Sequence, residues 1–152
     1  MSDIVLKTEN VTHVYGIDTP FEKVAVENVS IEIGSNDFIG VIGHTGSGKS
    51  TFIQHLNGLL KPTSGTITFN GENIWEKGYK LKNLRFQVGM VFQYPEHQLF
   101  EETVEKDISF GPRNMGLPEE EIKQRVLESL HFTGLSEKIL DKSCLLYTSR
   151  CV

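Results

Sequence analysis

The residues best equipped for chemistry form one uninterrupted stretch, Gly43-His44-Thr45-Gly46-Ser47-Gly48-Lys49-Ser50-Thr51. A glycine, four variable residues and then Gly48-Lys49-Ser50 is the spacing of a phosphate-binding loop. Glycines at 43, 46 and 48 omit β-carbons, so the backbone can curl into a nest of N–H donors close to phosphate oxygens. A helix opening at the end of such a loop aims its positive dipole end and its unpaired N–H groups at the same anion. Lys49 supplies a flexible cation able to reach the β- and γ-phosphates, and the Ser50 hydroxyl is placed to ligate Mg²⁺. The bland alternative is a glycine-rich turn before an ordinary helix, and the flanking elements argue against it. His44 is a variable loop position beside the phosphates and carries no catalytic role.

Those flanking elements are legible. The apolar run Phe38-Ile39-Gly40-Val41-Ile42 before the loop reads as a buried strand, and Phe52, Ile53, Leu56, Leu59 and Leu60 after it recur at helical spacing. Upstream, Ile4 to Tyr15 is β-rich and Val29-Ser30-Ile31-Glu32-Ile33 alternates strictly, as a half-buried strand does. Downstream, Lys61-Pro62-Thr63-Ser64-Gly65 breaks the chain, and Thr66-Ile67-Thr68-Phe69 alternates until Asn70-Gly71, a tight-turn dipeptide. Weak helical character returns over Lys80 to Phe86. A second apolar run, Val88-Gly89-Met90-Val91-Phe92, fits a buried strand and ends at Gln93.

From there the pattern is helical. Thr103 to Phe110 sets Val104 and Ile108 four apart and stops at Gly111-Pro112. Pro118-Glu119-Glu120-Glu121 is a helix start, with carboxylates facing the positive dipole end. Ile122, Val126, Leu127 and Leu130 supply its buried face, and Gly134 suits its stop. The apolar run of residues 88–92, read as a buried strand, fits a mixed α/β sheet, and the fold class expected is α/β.

Composition narrows the function classes. The chain has 152 residues, a formal net charge of -5, 38% hydrophobic and 23% charged residues, the profile of an ordinary globular domain. An acidic balance without a Lys/Arg-rich tract argues against nucleic acid as a partner. No apolar run approaches the roughly 20 residues of a membrane span, and the N-terminus lacks a secretory pattern. Five scattered histidines (His13, His44, His55, His97, His131) form no metal spacing and read as solvated or local hydrogen-bonding groups. Cys144 and Cys151 make neither a zinc pattern nor an expected disulfide. The location expected is the cytoplasm or the cytoplasmic face of a membrane.

Taken together, Gly43 to Thr51, the Val91-Phe92-Gln93 run end and the upstream Tyr15 resemble an ABC-type ATPase head. The fold implied is a P-loop NTPase: an antiparallel β subdomain, part of a RecA-like α/β core and the start of a helical subdomain, incomplete. The resemblance assigns Tyr15 to adenine stacking, residues 43 to 51 to the phosphates of ATP, and Gln93 to the loop reaching Mg²⁺ or the attacking water. On the residues alone, the alternatives are simple packing for Tyr15 and a strand cap for Gln93. Phe92-Gln93-Tyr94-Pro95-Glu96-His97-Gln98-Leu99-Phe100-Glu101-Glu102-Thr103-Val104, continued by Asp107-Ile108-Ser109-Phe110-Gly111-Pro112-Arg113-Asn114, is similar to the ATP-binding subunits of energy-coupling factor (ECF) transporters, importers of vitamins or transition-metal ions.

That resemblance implies a second ATPase subunit, homologous or identical, and an ECF transmembrane subunit as partners, with membrane contact only through them. The stretch from Tyr94 to Phe100 is either a small satellite core or the groove that receives a coupling helix from that membrane subunit. The rival functions are the ATPase of another ABC transporter and a nucleotide-binding module without turnover. After Ser143 the resemblance would continue through a Leu-Ser-Gly-Gly-Gln signature, a strand ending in Asp-Glu and a switch histidine. The sequence instead runs Cys144-Leu145-Leu146-Tyr147-Thr148-Ser149-Arg150-Cys151-Val152, which reads as an unrelated tail outside a domain of residues 1–143. The expectation is a chain that holds phosphates through Lys49 and its loop but does not turn over, because positioned transition-state groups carry phosphoryl transfer. Lys49 and Gln93 remain its catalytic candidates, and Ser50 and Gln93 its metal candidates.

Overall fold

Strand β1 (Ile4–Tyr15) is the spine of a four-stranded antiparallel sheet, pairing on one side with β2 (Lys23–Gly34) and on the other with β3 (Ser64–Phe69). A two-residue strand β4 (Glu72–Asn73) completes the order β2-β1-β3-β4. The computed structural model describes residues 3–94 and 98–144. They divide into two units, Met1–Met90 and Val91–Val152.

In the first unit, local chemistry sets the connections. Asn70 and Gly71 both take positive φ, 49° and 82°, the conformation that lets a two-residue turn follow the right-handed twist of its strands. Phe69 consequently pairs with Glu72. The sheet's apolar face (Leu6, Val11, Val26, Ile67, Phe69) buries against Phe52 of helix α1 (Lys49–Leu56) and Leu84 of helix α2 (Leu81–Gln87). Burial of a side chain such as Leu84 or Ile67 stabilises by about 1.5–3 kcal/mol each. Ile53 lies on the outer side of α1 and is partly exposed, and Leu59 and Leu60 fall beyond the helix end.

The two apolar runs expected to be buried strands are not strands. Residues 38–42 join no ladder, and Phe38 and Ile42 are wholly exposed. Residues 88–92 are likewise unpaired, with Val91 82% exposed. The reason is that strand structure resides in pairing: a lone extended segment leaves its N–H and C=O groups to water. Among the described residues the only sheet is the antiparallel one, and it offers these runs no partner.

The second unit is helical. Helix α3 (Val104–Met115) starts at Thr103, whose hydroxyl accepts from the Lys106 N–H at 3.4 Å. It does not stop at Gly111-Pro112 as the sequence suggests. It runs to Met115 and ends at Gly116 with φ 79°. Pro112 lies in the last turns, where helix α3 tolerates its missing donor. Helix α4 (Glu119–Thr133) follows Pro118, buries Ile122, Val126 and Leu130, and ends at Gly134 with φ 71°. Leu127 belongs to the exposed side instead of the buried face expected of it. A short 3-10 turn (Glu137–Ile139) leads to residues that tie down the start of α3: Val104 N–H donates to Lys142 O and Glu105 N–H to Leu140 O. No helix among the described residues is long and apolar enough to cross a membrane.

Candidate functional site

Residues 43–48 form a loop that closes on Lys49, the first residue of α1. Lys49 Nζ donates to the Gly43 and His44 carbonyls at 2.8 Å each and lies 3.4 Å from Ser47 Oγ. The ammonium thereby draws the loop around itself and stays at its concave side. Ser47 N–H donates to His44 O at 3.2 Å, a turn that Gly46 permits with φ 82°.

Gly48 is the tightest position. Its φ is 86°, and a β-carbon there would fall 2.0 Å from the Ala25 carbonyl oxygen of β2. Glycine is required both for the left-handed conformation and for the approach of loop to strand. As the helix N-cap it contributes no side-chain acceptor, and no acidic residue occupies the first turn. The opening N–H groups of α1 are therefore free of a side-chain cap and form the dipole's positive end, the arrangement that fits phosphate oxygens. Ser50 is exposed in that same first turn. An open cleft of about 640 Å³ borders the loop, lined by Val26, Val29 and Ile31 of β2, by residues 39–43 and by Lys49.

Tyr15, at the end of β1, is brought to this helix. Its hydroxyl lies 3.3 Å from Thr51 Oγ1 and its ring meets His13 edge to face, with centroids 4.5 Å apart. Tyr15 remains 43% exposed. Gln93 is an exposed residue of the second unit, outside any helix or strand. Of the stretch from Tyr94 to Phe100, residues 95–97 lie outside the described residues. Its far end is held in place: Phe100 stacks edge to face on Phe110 at 4.6 Å, and Asp107 Oδ1 accepts from the Phe100 and Glu101 N–H groups.

Sequence reasoning missed two residues here. Of the two roles expected of the histidines His55 takes local hydrogen bonding, but wholly buried and with a distant second partner: its Nδ1 lies 2.6 Å from Thr51 O and its Nε2 3.1 Å from His13 Nδ1. Burial pushes its pKa below the ordinary imidazole value, with the nearby His13 adding to the shift. The signal was present in the spacing. His55 follows Thr51 by four residues, one helical turn, and His13 precedes Tyr15 by two, the same strand face.

Across residues 26–148 the sequence matches the ABC transporter family. The chain belongs to that family. The energy-coupling factor transporter ATP-binding protein EcfA2 of Clostridium perfringens is 59% identical over 139 residues, covering 91% of this chain and 49% of the relative. Its counterpart from Caldanaerobacter subterraneus subsp. tengcongensis is 56% identical over 138 residues, covering 91% of this chain and 48% of the relative. Among solved structures, cbiO1 from Clostridium perfringens, described as part of the ABC transporter complex cbiONQ, has a TM-score of 0.76 at 39% identity. That match covers 93% of this chain and 54% of cbiO1. The ATP-binding cassette MJ0796, in a dimeric post-hydrolysis state bound to ADP and Pi, has a TM-score of 0.77 at 26% identity over 91% of this chain and 61% of its own. This ABC transporter chain spans about half the length of the curated relatives it matches. Its antiparallel sheet and helices are a partial P-loop ABC ATPase head.

Proposed function

We propose that this chain is the nucleotide-gripping portion of the ATP-binding subunit of an ECF-type importer. The observation that supports it most is the loop of residues 43–48 closed on Lys49 Nζ, with an uncapped helix start beside it. Relatives at 53–59% identity bear the name of that subunit. On this reading the loop N–H groups and Lys49 hold the triphosphate of ATP, Ser50 ligates Mg²⁺, and Tyr15 stacks on adenine. Bound Mg²⁺ would neutralise developing charge on the phosphates. Gln93 supplies a further ligand or water-orienting amide, and the region from Tyr94 to Phe100 docks the ECF transmembrane subunit. The whole subunit works at the cytoplasmic face of the membrane, paired with a second ATPase and touching the bilayer only through partners.

For the chain itself the reading is binding without turnover. Calorimetry with Mg²⁺–ATP beside a phosphate-release assay tests this directly: saturable binding with release at background supports it. Release above background that Lys49→Ala abolishes would show a complete catalytic set, and absence of binding would remove the proposal.

A further inference from the structure

Four residues of the first unit close a ring that runs through side chains and the Thr51 carbonyl. Thr51 O faces His55 Nδ1 at 2.6 Å, His55 Nε2 faces His13 Nδ1 at 3.1 Å, His13 meets the Tyr15 ring at 4.5 Å, and Tyr15 Oη returns to Thr51 Oγ1 at 3.3 Å. The proton positions follow from the partners. A carbonyl can only accept, so His55 Nδ1 carries its hydrogen toward Thr51 O. The neutral His55 ring then presents a lone pair at Nε2, and His13 Nδ1–H donates to it. His55 has no exposed surface from which to do anything else.

His13 is also set apart in its strand. The β1–β2 register shifts on both sides of it, between Val11 and His13 and again between His13 and Val14. Such irregularities re-aim side chains. Here the result is a ring that touches the α1 histidine with its nitrogen and the Tyr15 ring in edge-to-face contact.

We infer that His13 is a positioning residue for the Tyr15 base platform, fixing the tyrosine ring to the phosphate-loop helix through His55 and Thr51. The inference rests on the reading that Tyr15 carries the adenine. A base stacked on Tyr15 gains only if the ring is already held at the correct distance from the triphosphate cradle, because ordering it on binding costs affinity. His13 supplies that preorganisation without touching the nucleotide.

The test separates base from phosphate. Isothermal titration calorimetry on the 152-residue chain uses Mg²⁺–ATP and, separately, inorganic tripolyphosphate with Mg²⁺. His13→Phe keeps a ring beside Tyr15 and deletes the donor to His55; His13→Asn keeps a donor near the Nδ1 position and deletes the ring. The expected result for His13→Phe is ATP affinity lowered about five- to tenfold, the lower end of the range of base–aromatic stacking, with tripolyphosphate affinity unchanged. His13→Asn should recover part of the loss. Equal weakening of both ligands would make His13 a merely structural residue and overturn the inference, as would an unchanged ATP-to-tripolyphosphate ratio in both variants. A wild-type chain that binds neither ligand strikes the phosphate-loop reading itself, and this inference falls with it.

Discussion

His55 and His13 meet nitrogen to nitrogen at 3.1 Å, the first wholly buried in α1 and the second half-buried in β1. A buried imidazole that already gives its one hydrogen to Thr51 O can take a second proton at Nε2 only if the His13 bond reverses its direction. Burial is the main reason its pKa falls below the ordinary value near 6.5.

That depression sets a pH dependence. Below about pH 6.5 the unfolded chain protonates this histidine while the folded chain keeps it neutral, so the unfolded state binds more protons and stability falls with falling pH. The loss continues down to the folded pKa and then levels. Thermal melts between pH 5 and 7.5 should show a declining midpoint below pH 6.5, with a shallower decline in His55→Gln. An equal slope in both chains would remove His55 as the cause.

Lys49→Ala should weaken ATP binding at least about tenfold, the scale of losing a charge-assisted contact. Because Lys49 Nζ also gathers the Gly43 and His44 carbonyls, the variant loop loses its closure as well as its cation. Calorimetry reads the affinity, and unaltered binding would show that the triphosphate goes elsewhere.

The loop glycines are not equivalent. Gly46→Ala meets nothing within 4 Å and carries only the strain of φ 82°, about 1–2 kcal/mol. Gly48→Ala meets Ala25 O at 2.0 Å in addition to its strained φ. Denaturant unfolding should therefore rank Gly48→Ala well below Gly46→Ala, and equal stabilities would refute the close approach.

Exposed apolar surface along residues 38–42, with Phe38 and Ile42 uncovered, should make the isolated chain bind hydrophobic dyes and self-associate. Ile42→Lys should raise the soluble fraction in sedimentation. A sharp cooperative melt from a monomeric wild-type chain would count against this.

Much of the fold was readable because its signals are local. Asn70-Gly71, the alternation of residues 66–69 and the Gly134 stop each act within a few residues, and each appears where expected. The loop of residues 43–48 and the helix start at Lys49 were legible for the same reason, since the glycines and Lys49 that shape them lie within seven residues of one another. What failed was non-local. Residues 38–42 and 88–92 have the composition of buried strands, but composition does not supply a pairing partner. Pro112 misled because it marks a helix end only where its missing donor matters, and α3 ends four residues later at Gly116. His13 and His55 looked unremarkable because their contact spans 42 positions of sequence.

Where Gly48 rests against Ala25, no side chain of the loop separates it from the β2 backbone. β2 is laddered to β1 along nearly its whole length, and β1 ends in Tyr15. The loop of residues 43–48 and the Tyr15 ring are thus joined through one continuous strand pair. A substitution that breaks the β1–β2 ladder itself, unlike one at His13, should therefore disturb the loop and the Tyr15 ring together.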